Sequence, residues 1–522
     1  MSQAVINDIP RVTGAATVPP RPLPGTALRQ VFSFPVMLMA WMVLIVIRLA
    51  EQGLPEPDIW WHLHNARYLL AHHRLPNVDT YSFTVAGHPW MNPEWLAEIP
   101  YYLAWRAFGL EGIEILMLLV LECIFLGVLY LCYRRTGHIK ASILACWVAA
   151  ALGTVNFGPR TILFGYLCLL ALLMTLERFR SKGRAPLWLL PPLFCLWINT
   201  HGSWCLGLAV LGVFTACGFV EGEWGLVQAS RWSPRQQRQM LCTFAGSCAA
   251  LFINPYGYRL VLYPLDMALR QRLNVALVSE WRSVDFHEPR GIVVLILLAG
   301  LFSAALLMRH RWLLSDLILV LVGLYGGLSH ERLLFFAGVI TAPAVAELLH
   351  FVPPYRPEID KPLLNAAMIL GIAAFVAWRF PGPTRLQEQV AGEFPAEIVP
   401  YLESHPPFGR VLDYYEWGGY LGFEDPQLKV FVDSRVDIFE YAGVLSDYVR
   451  LMLFREPMQI LDEYQIRYVL FPPDAPLVYL LRRSPDWKVD FAGKTSTLLE
   501  RVGPMPQGPP KDATVSKGLQ AW

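Results

Sequence analysis

The chain is predicted to be an α-helical polytopic membrane protein of about eleven spans, with a small α/β domain at its C-terminal end. Three observations carry that expectation. Hydrophobic residues make up 55% of the 522 and charged residues only 16%, against roughly a quarter charged in soluble domains. Apolar runs long enough to cross a bilayer recur along most of the chain. The segments between them alternate between basic and non-basic.

The runs lie near 31–50, 112–133, 141–155, 161–177, 187–199, 203–221, 239–253, 291–308, 312–328, 332–351 and 363–380. The run at 187–199 carries Pro191 and Pro192 and reads as a broken or re-entrant helix. If the N-terminus is cytoplasmic, the inside segments hold Arg11, Arg21 and Arg29; Arg134, Arg135 and Lys140; Arg178, Arg180, Lys182 and Arg184; Arg231, Arg235 and Arg238; Arg309 and Arg311; and Arg356 and Lys361. All are basic, as cytoplasmic loops are. An odd count of spans places the C-terminal domain outside, together with the loops 51–111 and 254–290. The expected location is therefore the cell (inner) membrane, with a cytoplasmic N-terminus.

Residues 1–30 are rich in Pro and Arg and read as a disordered cytoplasmic arm. Stretches 60–70 and 95–108 of the first outside loop have helical spacing with Trp and Tyr, which suits helices lying in the interface. After Phe380 the chain turns polar, and PGPTRLQEQV reads as a linker. Strand-like runs follow at Arg410–Asp413, Lys429–Val432, Tyr468–Phe471 and Thr495–Leu499, with helix-like stretches at 443–454 and 456–465. Together they outline a soluble α/β domain over 381–502, followed by a disordered tail over 503–522. The formal net charge of +1 gives no basic field for nucleic acid. The nine Cys lie mostly in apolar runs without metal or redox spacing.

The unusual polar residues collect on the outside. Asp58, just beyond the first span and beside Trp60 and Trp61, suits a general base on an acceptor hydroxyl. From spacing alone it suits better the N-cap of a helix starting at Ile59. Arg332, with His330, opens the tenth span in the sequence SHER, and Arg160 lies in the short loop VNFGPR. Each Arg can hold a phosphate or anchor a helix end. Asn199 and His201, in NTHGSW, are open to the same pair of readings. The acid–aromatic pairs Glu94–Trp95 and Glu280–Trp281 suit a sugar stacked on an indole with its hydroxyls on a carboxylate. His62 and His64 near Asp58 raise a metal site, but 64 points away from the face that 58 and 62 share, and two ligands do not make a site. The residues are read as holding no resident metal, with a divalent cation as the alternative. Arg435, between Asp433 and Asp437, either contacts an acceptor or closes a turn with internal ion pairs.

This layout resembles the membrane glycosyltransferases of the GT-C fold. The stretch 58–108 is similar to the first loop of the bacterial branch related to protein mannosyltransferases and lipid A aminoarabinose transferases, and of rhizobial lipopolysaccharide glycosyltransferases. The motifs DIWWHL, NPEWLAE, NTHGSW, NPYGYR, EWGGYLGF and VFVDSRVD look like a recurring pattern of bacterial members. The resemblance implies a sugar taken from a polyprenyl-phosphate donor to an extracytoplasmic acceptor: a glycan, lipid or protein. By position it implies Asp58 as catalytic acid–base residue and Arg332, His330 and Arg160 at the carrier phosphate. It leaves Glu94, Trp95, Asn199, His201, Glu280, Trp281 and Arg435 for sugar or acceptor. One departure stands out: family members carry an adjacent acidic pair, whereas here Pro57 separates Glu56 from Asp58. A non-catalytic subunit binding a partner through its C-terminal domain is the competing reading. A transporter of lipid-linked sugars is a third, but it expects charges deep in several spans and repeated halves. Only Glu122, Asp316 and Glu347 stand out as such charges.

Overall fold

The computed structural model describes residues 24–51, 55–308 and 310–511. Most of the expected arm and tail therefore lies outside the described residues. Of the expected arm, Pro24–Val31 is helical.

Each of the eleven apolar runs contains a helix. Seven are long and apolar enough to cross a membrane: Leu28–Ala50, Trp95–Thr136, Ile139–Asn156, Ile162–Lys182, Pro289–Leu307, Glu331–Phe351 and Pro362–Arg379. Leu187–Ile198, Trp204–Cys217 and Leu314–Ser329 are shorter apolar helices. Pro234–Ala250 supplies the remaining one; a Ser233–Gln236 capping box starts it. Glu331–Phe351 is the central helix, with 78% of its apolar window buried, whereas Pro362–Arg379 buries 6% and faces outward. Phe335 marks the centre, stacked at 5.4 Å on Phe125 and 4.1 Å from the ring of Tyr166.

Trp95–Thr136 is two helices in one run. Gly109, with φ 61° and ψ −142°, breaks it, a conformation that costs a residue with a side chain. The first part, 95–108, is the expected interface helix, and the second is the span.

At one end of the bundle a small sheet forms. β1 (Gly222–Trp224) and β2 (Val227–Ala229) make a hairpin, and β3 (Trp312–Leu313) pairs parallel to β2.

At the other end sit the first long loop, the loop 254–290 and the C-terminal region. The expected linker is in fact the helix Pro383–Glu393. It is tied to the end of the first span, because Glu51 accepts hydrogen bonds from Arg379 at 2.5 Å and Arg385 at 3.0 Å. The C-terminal sheet contains β4 (Arg410–Asp413), β5 (Ile466–Phe471), β6 (Trp487–Ala492) and β7 (Thr497–Arg501) in the order β4-β5-β7-β6. Only the β4–β5 pair is parallel. The sequence reading missed β6. Lys429–Val432, expected as a strand, makes a single bridge, Ser82 to Val430. Its backbone is taken up elsewhere: Phe83 N donates to Val430 O, Val430 N to Tyr81 O, and Phe431 N to the Asp413 carboxylate.

That exchange shows how the C-terminal domain is held. It shares two apolar cores with the first loop. In one, Trp61, Val85 and Trp90 pack with Phe431, Phe439 and Leu445. In the other, Ile59, Trp60 and Leu63 pack with Tyr420, Leu421 and Phe423. Burying apolar area of this kind, at about 25 cal/mol per Å², makes loop and domain one body.

Candidate functional site

The helix Pro57–His72 opens the site. Pro at its first position is preorganised for helix. Its N-cap is Glu56, not Asp58, which corrects the capping reading: the helix starts two residues earlier than Ile59. Asp58 sits in the first turn, where the helix dipole favours a carboxylate. The Trp61 Nε1–H donates to Asp58 Oδ1 at 3.2 Å.

Three further groups surround Asp58. Arg160 lies between two carboxylates, donating through Nε to Glu56 at 2.6 Å and through Nη1 to Glu280 at 2.5 Å. The Arg160 carbonyl accepts from Tyr101 at 3.1 Å. Burial raises the pKa of Glu56, partly offset by Arg160, and the charge of Asp58 adds to the rise.

Glu94 forms the second group. It faces His62 Nε2 at 3.5 Å and His201 Nε2 at 3.3 Å, and accepts from Thr161 Oγ1 at 2.7 Å. His201 Nδ1 accepts from Ser203 N at 2.9 Å, which leaves its proton on Nε2, toward Glu94. Burial, then the charges of Arg332 and His62, hold His201 well below the ordinary imidazole range. Burial raises Glu94, with His62, Thr161 and Arg332 opposing and Asp58 adding to the rise. Glu94 thus lies in the fields of both Asp58 and Arg332 and links the two ends of the candidate site.

Glu98 supports this set from beneath. It is buried and takes hydrogen bonds from His62 Nδ1 at 2.9 Å, Asn65 at 3.2 Å and Asn92 at 2.8 Å. Burial works against a charge on His62, but Glu98, Glu94 and Asp58 outweigh it and raise its pKa.

Arg332 forms the third group. Its guanidinium lies over the Trp281 ring at 5.3 Å. Among the described residues it has no ion pair or hydrogen bond. Its neighbours are committed: Glu331 pairs with Arg290 at 3.0 Å, and His330 Nδ1 bonds the Trp281 carbonyl at 2.7 Å.

The C-terminal domain supplies the remaining wall. Tyr415 lies in the field of Asp58. Asp437 accepts from Tyr263 at 3.3 Å, and burial pushes its pKa up to about 6.

The structure therefore brings Asp58, Arg160, Glu94, His201, Glu280, Trp281 and Arg332 together. Other expected site residues are spent on structure. Trp95 Nε1 donates to Asn199 Oδ1 at 3.0 Å, and the Asn199 amide donates to the carbonyls of Cys195 and Ile253. His330 is a bracket between the loop 254–290 and the tenth span. Arg435 is 3% exposed, bonded to Asp433 at 2.6 Å and to Asp79 at 2.7 Å, and stacked at 4.6 Å on Tyr81 and 4.8 Å on Trp90. It closes a turn and pins the first loop, as its alternative reading had it.

His62, Glu98, Asn92, Tyr263 and Asp437 were not assigned to the site from sequence. The spacing of Asp58 to His62 and of Glu94 to Glu98, four residues each, was the available signal. Among the described residues no group of three His, Cys, Asp or Glu side chains is arranged to hold a metal ion.

No protein-family model matches the chain, and no curated protein matches it. Solved structures do. The oligosaccharyltransferase of Archaeoglobus fulgidus in its apo form is 11% identical with a TM-score of 0.51, over 84% of this chain and 69% of that one. ArnT from Cupriavidus metallidurans bound to undecaprenyl phosphate aligns over 93% of this chain and 100% of its own, at 13% identity and a TM-score of 0.49. Its apo state aligns over 91% and 98%, at 15% identity and 0.49. With its mostly helical bundle and small C-terminal sheet, the chain has the GT-C fold of membrane glycosyltransferases.

Proposed function

We propose that this protein is a membrane glycosyltransferase that moves a sugar from a polyprenyl-phosphate donor to an extracytoplasmic acceptor. The observation that carries the reading is the contrast within one site between charges that are paired and charges that are not. Arg160 is saturated by Glu56 and Glu280, while among the described residues Arg332 keeps a guanidinium with no ion pair and Asp58 a carboxylate with one donor. A buried-side cation left unpaired suits an anionic ligand.

In this reading Asp58 takes the proton of the acceptor hydroxyl as its oxygen attacks the anomeric carbon. The bond from that carbon to the phosphate oxygen breaks, and Arg332 stabilises the departing lipid phosphate. Glu280 and Trp281 flank the sugar. His201, neutral, and Glu94 offer hydrogen bonds at its edge. An apolar groove of about 310 Å³, lined by Leu96, Pro100, Phe164, Leu167, Leu196 and Thr200, suits a hydrocarbon tail. The first-loop helices and the C-terminal domain cover the site and limit water, which would otherwise consume the donor.

The candidate site, the loop 254–290 and the C-terminal domain share one end of the bundle, which supports an odd number of spans. We assign that end to the outside of the cell membrane and the N-terminus to the cytoplasm. A reporter fused after Phe380 is expected to be active outside only. The activity is tested with purified protein in nanodiscs, a polyprenyl-phosphate sugar and an envelope extract as acceptor. Transfer of label is expected; no transfer from any such donor overturns the reading.

A further inference from the structure

We propose that Trp61 is the positioning residue for Asp58, and that the C-terminal domain holds Trp61 in place. The proposal rests on the reading of Asp58 as the base. Among the described residues the Trp61 indole N–H is the one hydrogen-bond donor to that carboxylate, at 3.2 Å. A carboxylate with a single donor is aimed by that donor, and displacement of a reacting group by about 1 Å can cost about 10²-fold in rate.

Trp61 is itself fixed on every side. It is 8% exposed. Its ring lies 3.7 Å from the His62 ring and meets Trp90 edge-on at 6.0 Å. Trp90 in turn carries the Arg435 guanidinium at 4.8 Å, and Arg435 is bonded to Asp433 of the C-terminal domain and Asp79 of the first loop.

The helix Gly418–Glu424 of the same domain approaches from the other side. A Cβ on Gly419 would lie 3.3 Å from the Pro57 carbonyl, 3.4 Å from Trp61 N and 3.6 Å from its Cδ1. Glycine at this point lets the domain press on the first turn of the Asp58 helix, and any side chain would push that turn. The second glycine of EWGGYLGF thus has a defined task. The domain sets the position of the base through a glycine contact and an indole.

The test uses the full-length protein in nanodiscs and sugar transfer at saturating donor and acceptor. Trp61→Phe removes the N–H and keeps an aromatic ring. Turnover is expected to fall about 10-fold, the size of a hydrogen bond to a charged group, with donor KM unchanged. On an Asp58→Asn background the same change is expected to cost nothing further, because it acts only through the carboxylate. Normal turnover of Trp61→Phe, or a full repeat of its loss on the Asp58→Asn background, overturns the proposal. Gly419→Ala provides a second route if Trp61→Phe does not fold. It is expected to lower turnover about 3-fold, again only when Asp58 is present, and an equal loss on both backgrounds overturns the proposal. Normal turnover of Asp58→Asn itself sinks the base assignment and this proposal together. A crippled Asp58→Asn beside a normal Trp61→Phe sinks this proposal alone.

Discussion

At the end of the bundle away from the candidate site, Arg135 lies between Asp316 and Glu347, with ion pairs to both. Arg180 bonds Asp316 at 2.8 Å and pairs with Glu177, and His310 lies 3.5 Å from Glu347. These charges close the ends of four helices, and each has a counter-charge. At the end that holds the candidate site the pattern differs. Arg160 is paired twice, but among the described residues Arg332 has only an aromatic face and Asp58 only an indole N–H. Charged groups removed from water are costly unless paired. A fold that pairs them at one end and leaves them open at the other keeps the open ones for a ligand. The comparison also answers the transporter reading in part, since Asp316 and Glu347 sit at helix ends in a closed network rather than along a path through the bundle.

The largest expected effect lies at the open end. Asp58→Asn preserves size and the hydrogen bond from Trp61 as an acceptor, but removes the base. Turnover is expected to fall about 10²–10⁴-fold, with a melting temperature close to that of the unchanged protein. A normal rate would place Asp58 with the structural charges.

The reverse pattern is expected at the paired end. Arg135→Met leaves Asp316 and Glu347 without their shared cation. Breaking a fully buried pair costs about 3–5 kcal/mol. At 11% exposure of the Arg135 side chain the expected loss is somewhat smaller, on the order of 2 kcal/mol. It is read as a lower melting temperature with turnover per folded molecule unchanged. Lost turnover in stably folded Arg135→Met would break the division between the two ends.

A smaller change tests the open arginine. Arg332→Lys keeps the charge but loses the planar fork and the stacking on Trp281. Donor KM is expected to rise about 10-fold, equivalent to about 1.4 kcal/mol, with little change in melting temperature. An unchanged KM would mean that the guanidinium does not hold the phosphate.

Much of this arrangement is legible along the chain, and what is not has a common cause. Span ends share a plane, so residues just outside the apolar runs, such as Asp58, Arg160 and Arg332, can be grouped without knowing their contacts. Pairings over long separations cannot. Arg435 reaches Asp79 across 356 residues, and only that contact turns a plausible ligand into a structural pin. Asn199 is similar, since its amide is spent on Ile253 across 54 residues. The Lys429–Val432 run has strand composition, but its partner is a first-loop segment rather than a sheet neighbour. The capping reading failed for a local reason: Pro57 at the first helical position was a start signal in plain view.

The finest test concerns how the first loop and the C-terminal domain respond to acid. His64, on the same helix as Asp58, lies 4.2 Å from the Tyr81 ring. Burial, then the charges of Arg67, Arg435 and Lys429, holds its pKa down to about 3, against 6.5 for a free imidazole. Between these values the unfolded chain binds a proton that the folded one refuses. The stability contributed by neutral His64 is therefore full above about 6.5 and is lost as pH falls toward 3. Asp437 acts in the opposite sense. Burial raises it from 3.8 to about 6, so the folded state keeps a proton that the unfolded state releases, and stability falls as pH rises through that window. Between about pH 4 and 6 the two slopes oppose, and each is read as the difference between a variant and the unchanged protein. His64→Phe removes the first slope, so its melting temperature should fall relative to that of the unchanged protein as pH rises across the window. Asp437→Asn removes the second, so its melting temperature should climb relative to that of the unchanged protein. Melting curves of the three proteins in nanodiscs at stepped pH check this. Parallel curves would mean that neither group titrates within the contact between loop and domain, and that acid acts on the molecule elsewhere.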